Sequence, residues 1–273
     1  MTSIASSNDP SASGASGGQE RSGPRLLLTL NCVEERVQLV LARDGSLVLH
    51  QEWAAPARVM RYLAPALEQA LDLLGLRISD LSGIACVRGP GNFTGLRLCL
   101  ATTYGLALGG GVPMAGLDYL PLLAAGPASL LQGRLAVLTH ARSGLVHAQV
   151  FEVPTCNALS TPRILNVKDP ADLRSLADLD GALFLLGSGV RRNLEQLRAG
   201  LSRARILDAA WDHPQSHVLI HAAQNAAFAH APIVPFYLRA CDAEENLEVF
   251  AAKRGFTSRE AREQLRIGME GEQ

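Results

Sequence analysis

The order in which short apolar runs and helical repeats follow one another constrains this chain most. Leu26–Leu30 reads as a buried strand, and Arg36–Ala42 and Ser46–Trp53 as two more, joined by Asp44-Gly45. That dipeptide tolerates the positive φ of a tight type I′ hairpin turn. Val59, Leu63, Ala66, Leu67, Ala70, Leu73 and Leu74 then recur at helical spacing, up to Gly75, a residue suited to a left-handed C-cap. Gly83–Val87 is a strand, Thr94–Leu108 a helix stopped by three glycines, Val112–Ala115 a strand and Asp118–Ala125 a helix. The order βββαβαβα calls for a mixed sheet, since its hairpins are antiparallel and its helical crossovers parallel.

The second half begins again in the same way. Arg134–Thr139 and Leu145–Val153 are strands around Ser143-Gly144, with Arg163–Leu165 as a third. A helix near Ala171–Ala177 precedes the strand Ala182–Leu186. Gly187-Ser188-Gly189 opens a helix through Leu197, Arg205–Leu207 is a short strand, and Pro214–Ala229 is a helix with proline at its start. Two successive units predict an α/β protein of two lobes, residues 25–130 and 131–239. Residues 1–24 are Ser, Gly and Ala with little apolar content, too little to offset their ordering entropy, and are expected to be a disordered leader. Residues 240–273 carry both charge signs at helical spacing and are expected to form a charged, helical tail, with Leu247, Val249, Phe250 and Leu265 as its apolar points.

Composition narrows the function classes. Of 273 residues, 48% are hydrophobic and only 19% charged, below the usual ~25%. The 25 basic and 26 acidic side chains nearly cancel, which removes the basic footprint of an independent nucleic-acid binder. Five cysteines, with no CxxC pair, argue against a disulfide framework or zinc ribbon and for a reducing cytoplasm. The uncharged stretch Leu98–Leu117 is nominally long enough for a bilayer, but Gly109-Gly110-Gly111 and Pro113 divide it into a buried helix and a strand. No membrane span is expected. No basic region followed by an apolar run marks a secretory signal.

Local chemistry is sparse. Arg88-Gly89-Pro90-Gly91-Asn92-Phe93-Thr94-Gly95-Leu96-Arg97 joins a strand to a helix, where small residues permit a sharp turn and free N–H groups can face an anion. Its glycine spacing and its place after three strands do not fit a dinucleotide site, and Phe93 stands where a hydrolase elbow needs serine. His213, His217 and His221 are spaced by four, which puts the last two on one helical face as a conceivable metal pair. Val218 occupies the position of a metalloprotease glutamate, so a solvated stripe is the better reading. His140 and His147 flank a hairpin turn and read as structural, and Cys99 reads as packed core. No catalytic constellation, metal site or cofactor is expected.

The run RGPGNFTGLR, the following LATTYGLALGGGVPMAGLDYL and the closing PFYLR together resemble the TsaB (YeaZ) family over Leu26–Arg239. That resemblance implies a two-lobed actin/Hsp70/sugar-kinase-like fold. It also implies a non-catalytic, cytoplasmic subunit in the synthesis of N6-threonylcarbamoyladenosine in tRNA. The partner implied is the ATP-binding TsaD subunit, with the TsaE ATPase joining the larger complex and tRNA met mainly through that complex. Self-association into a homodimer through the same helices is the competing assembly. The corresponding helices here are Arg58–Leu74 and Thr94–Leu108, so the interface candidates are Leu63, Leu67, Phe93, Leu96, Arg97, Leu100 and Tyr104. The motif loop is Arg88, Gly89, Pro90, Gly91, Thr94 and Gly95. Arg88 and Arg97 are its candidate functional side chains, with a salt bridge or a carbonyl cap as the alternative role.

Three positions depart from the family's pattern. Asn31-Cys32-Val33 replaces Asp-Thr-Ser, His140-Ala141-Arg142 replaces Asp-Ala-Arg, and Pro56-Ala57-Arg58 replaces His-Ser-Glu. Asn31 is neutral and Val33-Glu34 is bulky and repulsive where a phosphate and its metal would need small residues and a carboxylate. The alternative function is an enzyme of the same superfamily, a sugar-kinase-like phosphotransferase or a glycoprotease-like protein. Either would need such a site.

Overall fold

A computed structural model describes residues 25–54, 59–177 and 181–238. The expected leader, the expected tail, Pro56-Ala57-Arg58 and Arg239 lie outside the described residues. Strands β1 (Leu26–Asn31), β2 (Arg36–Arg43) and β3 (Ser46–Ala54) are followed by helix α1 (Val59–Leu74), strand β4 (Gly83–Gly89), helix α2 (Phe93–Gly110), strand β5 (Met114–Asp118) and helix α3 (Tyr119–Ala125). They form a five-stranded sheet of order β3-β2-β1-β4-β5, antiparallel across β1, β2 and β3 and parallel across β1, β4 and β5.

The second sheet repeats this plan. It is built from β6 (Gly133–Arg142), β7 (Leu145–Val153), β8 (Arg163–Asn166), β9 (Leu183–Leu186) and β10 (Arg205–Ile206). Its order, β10-β9-β6-β7-β8, is the same permutation read from the other edge. Parallel pairs again follow the helical crossovers, and antiparallel pairs follow the hairpins. Helices α4 (Pro170–Ala177), α5 (Ser188–Arg192), α6 (Leu194–Gly200) and α7 (Ser216–Gln224) complete the chain. The two mixed sheets are those of the expected α/β class.

Side-chain alternation along the central strands sorts the core into three layers. Leu26, Leu28 and Leu30 face outward and meet Leu63, Leu67 and Ala70 of α1 and Cys99 and Ala107 of α2. Leu27 faces the other way, into a cluster that holds α3, α7 and the inner face of the second sheet, including Leu135, Val137, Phe151 and Leu219. The remaining cluster joins the outer face of the second sheet to α4, α5 and α6 through Leu138, Val146, Leu173, Leu176, Val190 and Leu197. Strand β1 is buried along its whole length because helices cover both of its faces. The result leaves α1 and α2 as an outermost layer.

Several expected boundaries shift for local reasons. Helix α2 continues through Gly109 and Gly110, and only Gly111 adopts the left-handed conformation that ends it. The Val112 N–H bonds back to the Ala107 carbonyl at 2.9 Å. At the end of α1, Gly75 and Leu76 donate to Asp72 and Leu71, the paired bonds of a Schellman cap. The expected single helix after Gly189 is two, because the buried Asn193 side chain donates to the Gly189 carbonyl and breaks the ladder. The expected helix Pro214–Ala229 is confined to Ser216–Gln224, since Ala229 instead exchanges backbone hydrogen bonds with Met114.

Candidate functional site

The motif loop is held by close backbone approach. A Cβ on Gly95 would strike the Cys32 carbonyl, one on Gly89 the Phe236 carbonyl, and one on Gly91 the Val33 side chain. Gly89 also has φ of +119°, which excludes ordinary side chains. Two of the N–H groups in the first turn of α2, those of Gly95 and Leu96, bond within the chain. Asn92 caps the helix, its side chain accepting from Gly95 N–H at 2.7 Å, and its carbonyl accepts from Leu96 at 3.1 Å. The glycines of the turn serve close packing within the chain's own interior. Pro90 is buried and Thr94 exposed.

Phe236 and Tyr237 of the PFYLR segment strap this loop, a role the sequence did not disclose. Phe236 N–H donates to the Arg88 carbonyl at 2.8 Å. Arg88 Nε donates to Asp118 Oδ1 at 2.6 Å, and its guanidinium lies over the Phe236 ring. Arg88 thus takes the salt-bridge role. Phe93 is stacked on Tyr237 with ring centroids 4.3 Å apart, and the Arg97 guanidinium lies 4.4 Å from the Phe93 centroid. Arg97 is exposed and presents its charge from this stack.

The interface candidates divide by burial. Leu63, Leu67 and Leu96 are core residues, packed inside the chain and unavailable to a partner, which corrects their assignment. In α2, which is apolar nearly all round, helical spacing alone cannot separate the two faces. Leu100 is half-buried against the outer core. Arg97, Ala101, Tyr104, Gly105 and Leu108 are exposed at positions that follow one face of α2. Tyr104 is 44% and Leu108 71% exposed, and Leu73 on α1 is 75% exposed. A Cβ on Gly105 or Gly109 would meet nothing within 4 Å.

Of the positions that depart from the family's pattern, Asn31 is satisfied within the chain, whereas the buried His140 Nδ1 has no hydrogen-bond partner among the described residues. Asn31 is buried, donating to Gln38 Oε1 at 2.8 Å and accepting from Val33 N–H at 2.9 Å. His140 donates its backbone N–H to Ser188 Oγ at 2.9 Å, and burial lowers the pKa of its ring. Ala57 lies outside the described residues. His217 and His221 are exposed on α7, and His213 lies before it; among the described residues no group of three His, Cys, Asp or Glu is placed to hold a metal ion. Hydrogen bonding with Cys32 and Cys86, together with burial, pushes the Cys99 thiol well above its ordinary range, as befits a core residue. No helix among the described residues is long and apolar enough to cross a membrane.

A family model described as TsaD: tRNA N6-adenosine threonylcarbamoyltransferase matches residues 55–156, the stretch from α1 through β7. The tRNA threonylcarbamoyladenosine biosynthesis protein TsaB of Escherichia coli is 33% identical over 100 residues, covering 37% of this chain and 43% of that protein. The Bacillus subtilis protein of the same name is 25% identical over 183 residues, covering 66% and 79%. The chain is similar to the TsaB (YeaZ) family. Its fold agrees with the YeaZ structure from Pseudomonas aeruginosa at a TM-score of 0.65 and 24% identity, over 78% of this chain and all of that one. The match thus spans less than half of the E. coli TsaB and about four-fifths of the B. subtilis one.

Proposed function

We propose that this TsaB-like chain is the non-catalytic partner of a TsaD-type subunit in tRNA threonylcarbamoyladenosine synthesis, and that it binds through the outer face of α2 beside α1. The names of its relatives carry the pathway. The face itself carries the location. Gly105 sits in a helix interior with no neighbour that needs the space, where glycine costs about 0.8–1.0 kcal/mol relative to alanine. Among the described residues nothing offsets that cost. A second helix lying against Ala101, Gly105 and Gly109 would, because missing side chains let two backbones approach closely. Tyr104 and Leu108 then supply apolar area, and Arg97 a charge at the rim. The expected lobes, residues 25–130 and 131–239, divide the labour on this reading: the first carries the interface and the second supports it.

On this reading catalysis falls to the partner; among the described residues no metal-holding group lies on this face. A TsaE-type ATPase would join the paired subunits, tRNA would be contacted mainly through the complex, and the setting would be the cytoplasm. Co-purification of the chain with the TsaD-type subunit of the same organism tests the reading. Pairing is expected for the unaltered chain and lost for Tyr104→Glu, which leaves the core untouched. A folded Tyr104→Glu variant that pairs normally would move the interface elsewhere. Failure of the unaltered chain to pair would reject the subunit role.

A further inference from the structure

The turn between β1 and β2 lies against the starts of α3 and α5 in an unusual conformation. Glu34 and Glu35 are consecutive non-glycine residues with φ of +59° and +60°, a region that L side chains rarely adopt. Strain of this kind persists only where surrounding contacts over-determine the backbone. Those contacts come from several sides. Asn31 Oδ1 holds the Val33 N–H, and Val33 packs against Gly91 of the motif loop. The Glu34 carboxylate accepts from the Ser188 hydroxyl, at the start of α5 in the second sheet's layer, and from the Tyr119 hydroxyl at 2.9 Å, at the start of α3. Ser188 Oγ in turn accepts from His140 N–H at the end of β6. A chain of donors from three elements thus converges on one carboxylate contributed by a fourth.

Among the described residues no cation is seen paired with this carboxylate. The charged and titratable groups around it are Asp212, whose charge opposes it, Tyr119 itself, and Arg36, which acts on Tyr119; His140, with Glu35 and Arg192 acting on its ring, faces it from β6. Asp212 is occupied by Arg191 and by the Gly187 N–H. The donor set is therefore that of a small carboxyl-binding site, two hydroxyls and a backbone N–H, with no fixed positive charge among the described residues.

We propose that Ser188, Tyr119 and the His140 backbone make a small-carboxylate binding site, and that Glu34 of the same chain is its resident ligand, latching the β1–β2 turn of one sheet to the other. The site is thereby closed to external anions, and the latch is independent of which partner the chain binds. Desolvation raises the Glu34 carboxyl from 4.5 to about 7. The latched form therefore prefers the protonated acid. Latching is strongest below pH 4.5, falls about tenfold per pH unit as pH rises toward 7, and is flat above it.

Chemical rescue tests this on the full chain. Glu34→Ala empties the site, and at pH 5, where the neutral acid is abundant, sodium acetate is expected to raise its thermal midpoint above the value in equal sodium chloride. At ten times its dissociation constant, acetate multiplies the folding equilibrium about elevenfold. The unaltered chain, whose site is filled, and the double variant Glu34→Ala/Ser188→Ala should show no acetate-specific shift. An acetate response absent from Glu34→Ala, or equal in all three proteins, overturns the proposal. If Glu34→Ala does not fold, Glu34→Gln decides: the stability ratio of the unaltered chain to Glu34→Gln should fall tenfold per unit between pH 4.5 and 7. A ratio independent of pH overturns the latch.

Discussion

Replacing Gly105 by alanine should make the isolated chain more stable and its complex weaker. The glycine lies inside α2, and its added Cβ would meet nothing within 4 Å. The full helix-propensity difference is therefore available, about 0.8–1.0 kcal/mol. For a fold of this size that corresponds to a rise in thermal midpoint of roughly 2–4 °C. Against a helix packed on the same face, the methyl group overfills the contact, at about 1–3 kcal/mol. That weakens binding of the TsaD-type subunit by roughly 5- to 150-fold. Thermal denaturation of the chain alone and a binding titration of the pair read the two effects separately. The same substitution at Gly95 supplies the control, because its Cβ would strike the Cys32 carbonyl. Gly95→Ala should therefore destabilise the chain, with the opposite sign from Gly105→Ala. A Gly105→Ala variant that is less stable, or that binds unchanged, would refute the assignment of this face.

Leu63→Ala should cost about 2–5 kcal/mol in chemical denaturation, because Leu63 is buried in the outer core; any loss of pairing would follow from unfolding, and a near-neutral effect would contradict its placement. Arg88→Ala should cost no more than about 1 kcal/mol, since its ion pair with Asp118 is substantially exposed; a larger loss would give the strap a greater share of stability than its geometry supports. Glu34 and His213 should tilt stability in opposite directions. Burial raises the Glu34 carboxyl to about 7, so its contribution is full below pH 4.5 and lost by pH 7. Burial, aided by Arg36, lowers the His213 ring to about 4, so its contribution is full above pH 6.5 and lost as pH falls toward 4. Each is worth at most about 3 kcal/mol. In urea midpoints between pH 4.5 and 6.5, Glu34→Gln should lose stability toward acid and His213→Gln toward neutral pH; parallel profiles would contradict both assignments.

Much of the fold was legible because apolar periodicity and turn residues agree locally. Asp44-Gly45 makes the expected hairpin, with φ of +50° and +81°, and Gly75 the expected cap. Where a boundary moved, a long-range or side-chain contact had overridden local preference. Ala229 leaves the helical pattern to pair with Met114, and Asn193 splits a helix by bonding Gly189. The candidate site was harder to read. Leu63, Leu67 and Leu96 have the same chemistry as Leu73 and Leu108, and only the position of the sheet decides which face inward. Gly105 and Gly109 offered a usable signal, since glycine inside a helix needs a reason that a run of small residues does not announce. Glu34 read as a residue that repels phosphate. Its use as an internal ligand depends on Ser188, 154 residues away in sequence, and so lay beyond any local pattern.

The central claim is that the outer face of α2 is where the chain meets its partner. Amide hydrogen exchange of the full chain, with and without the TsaD-type subunit, tests that claim directly. Protection gained in α2 and in adjoining α1, with α4 and α6 unchanged, is the predicted result. Protection gained at α4 and α6 while α2 exchanges as in the free chain would contradict the account.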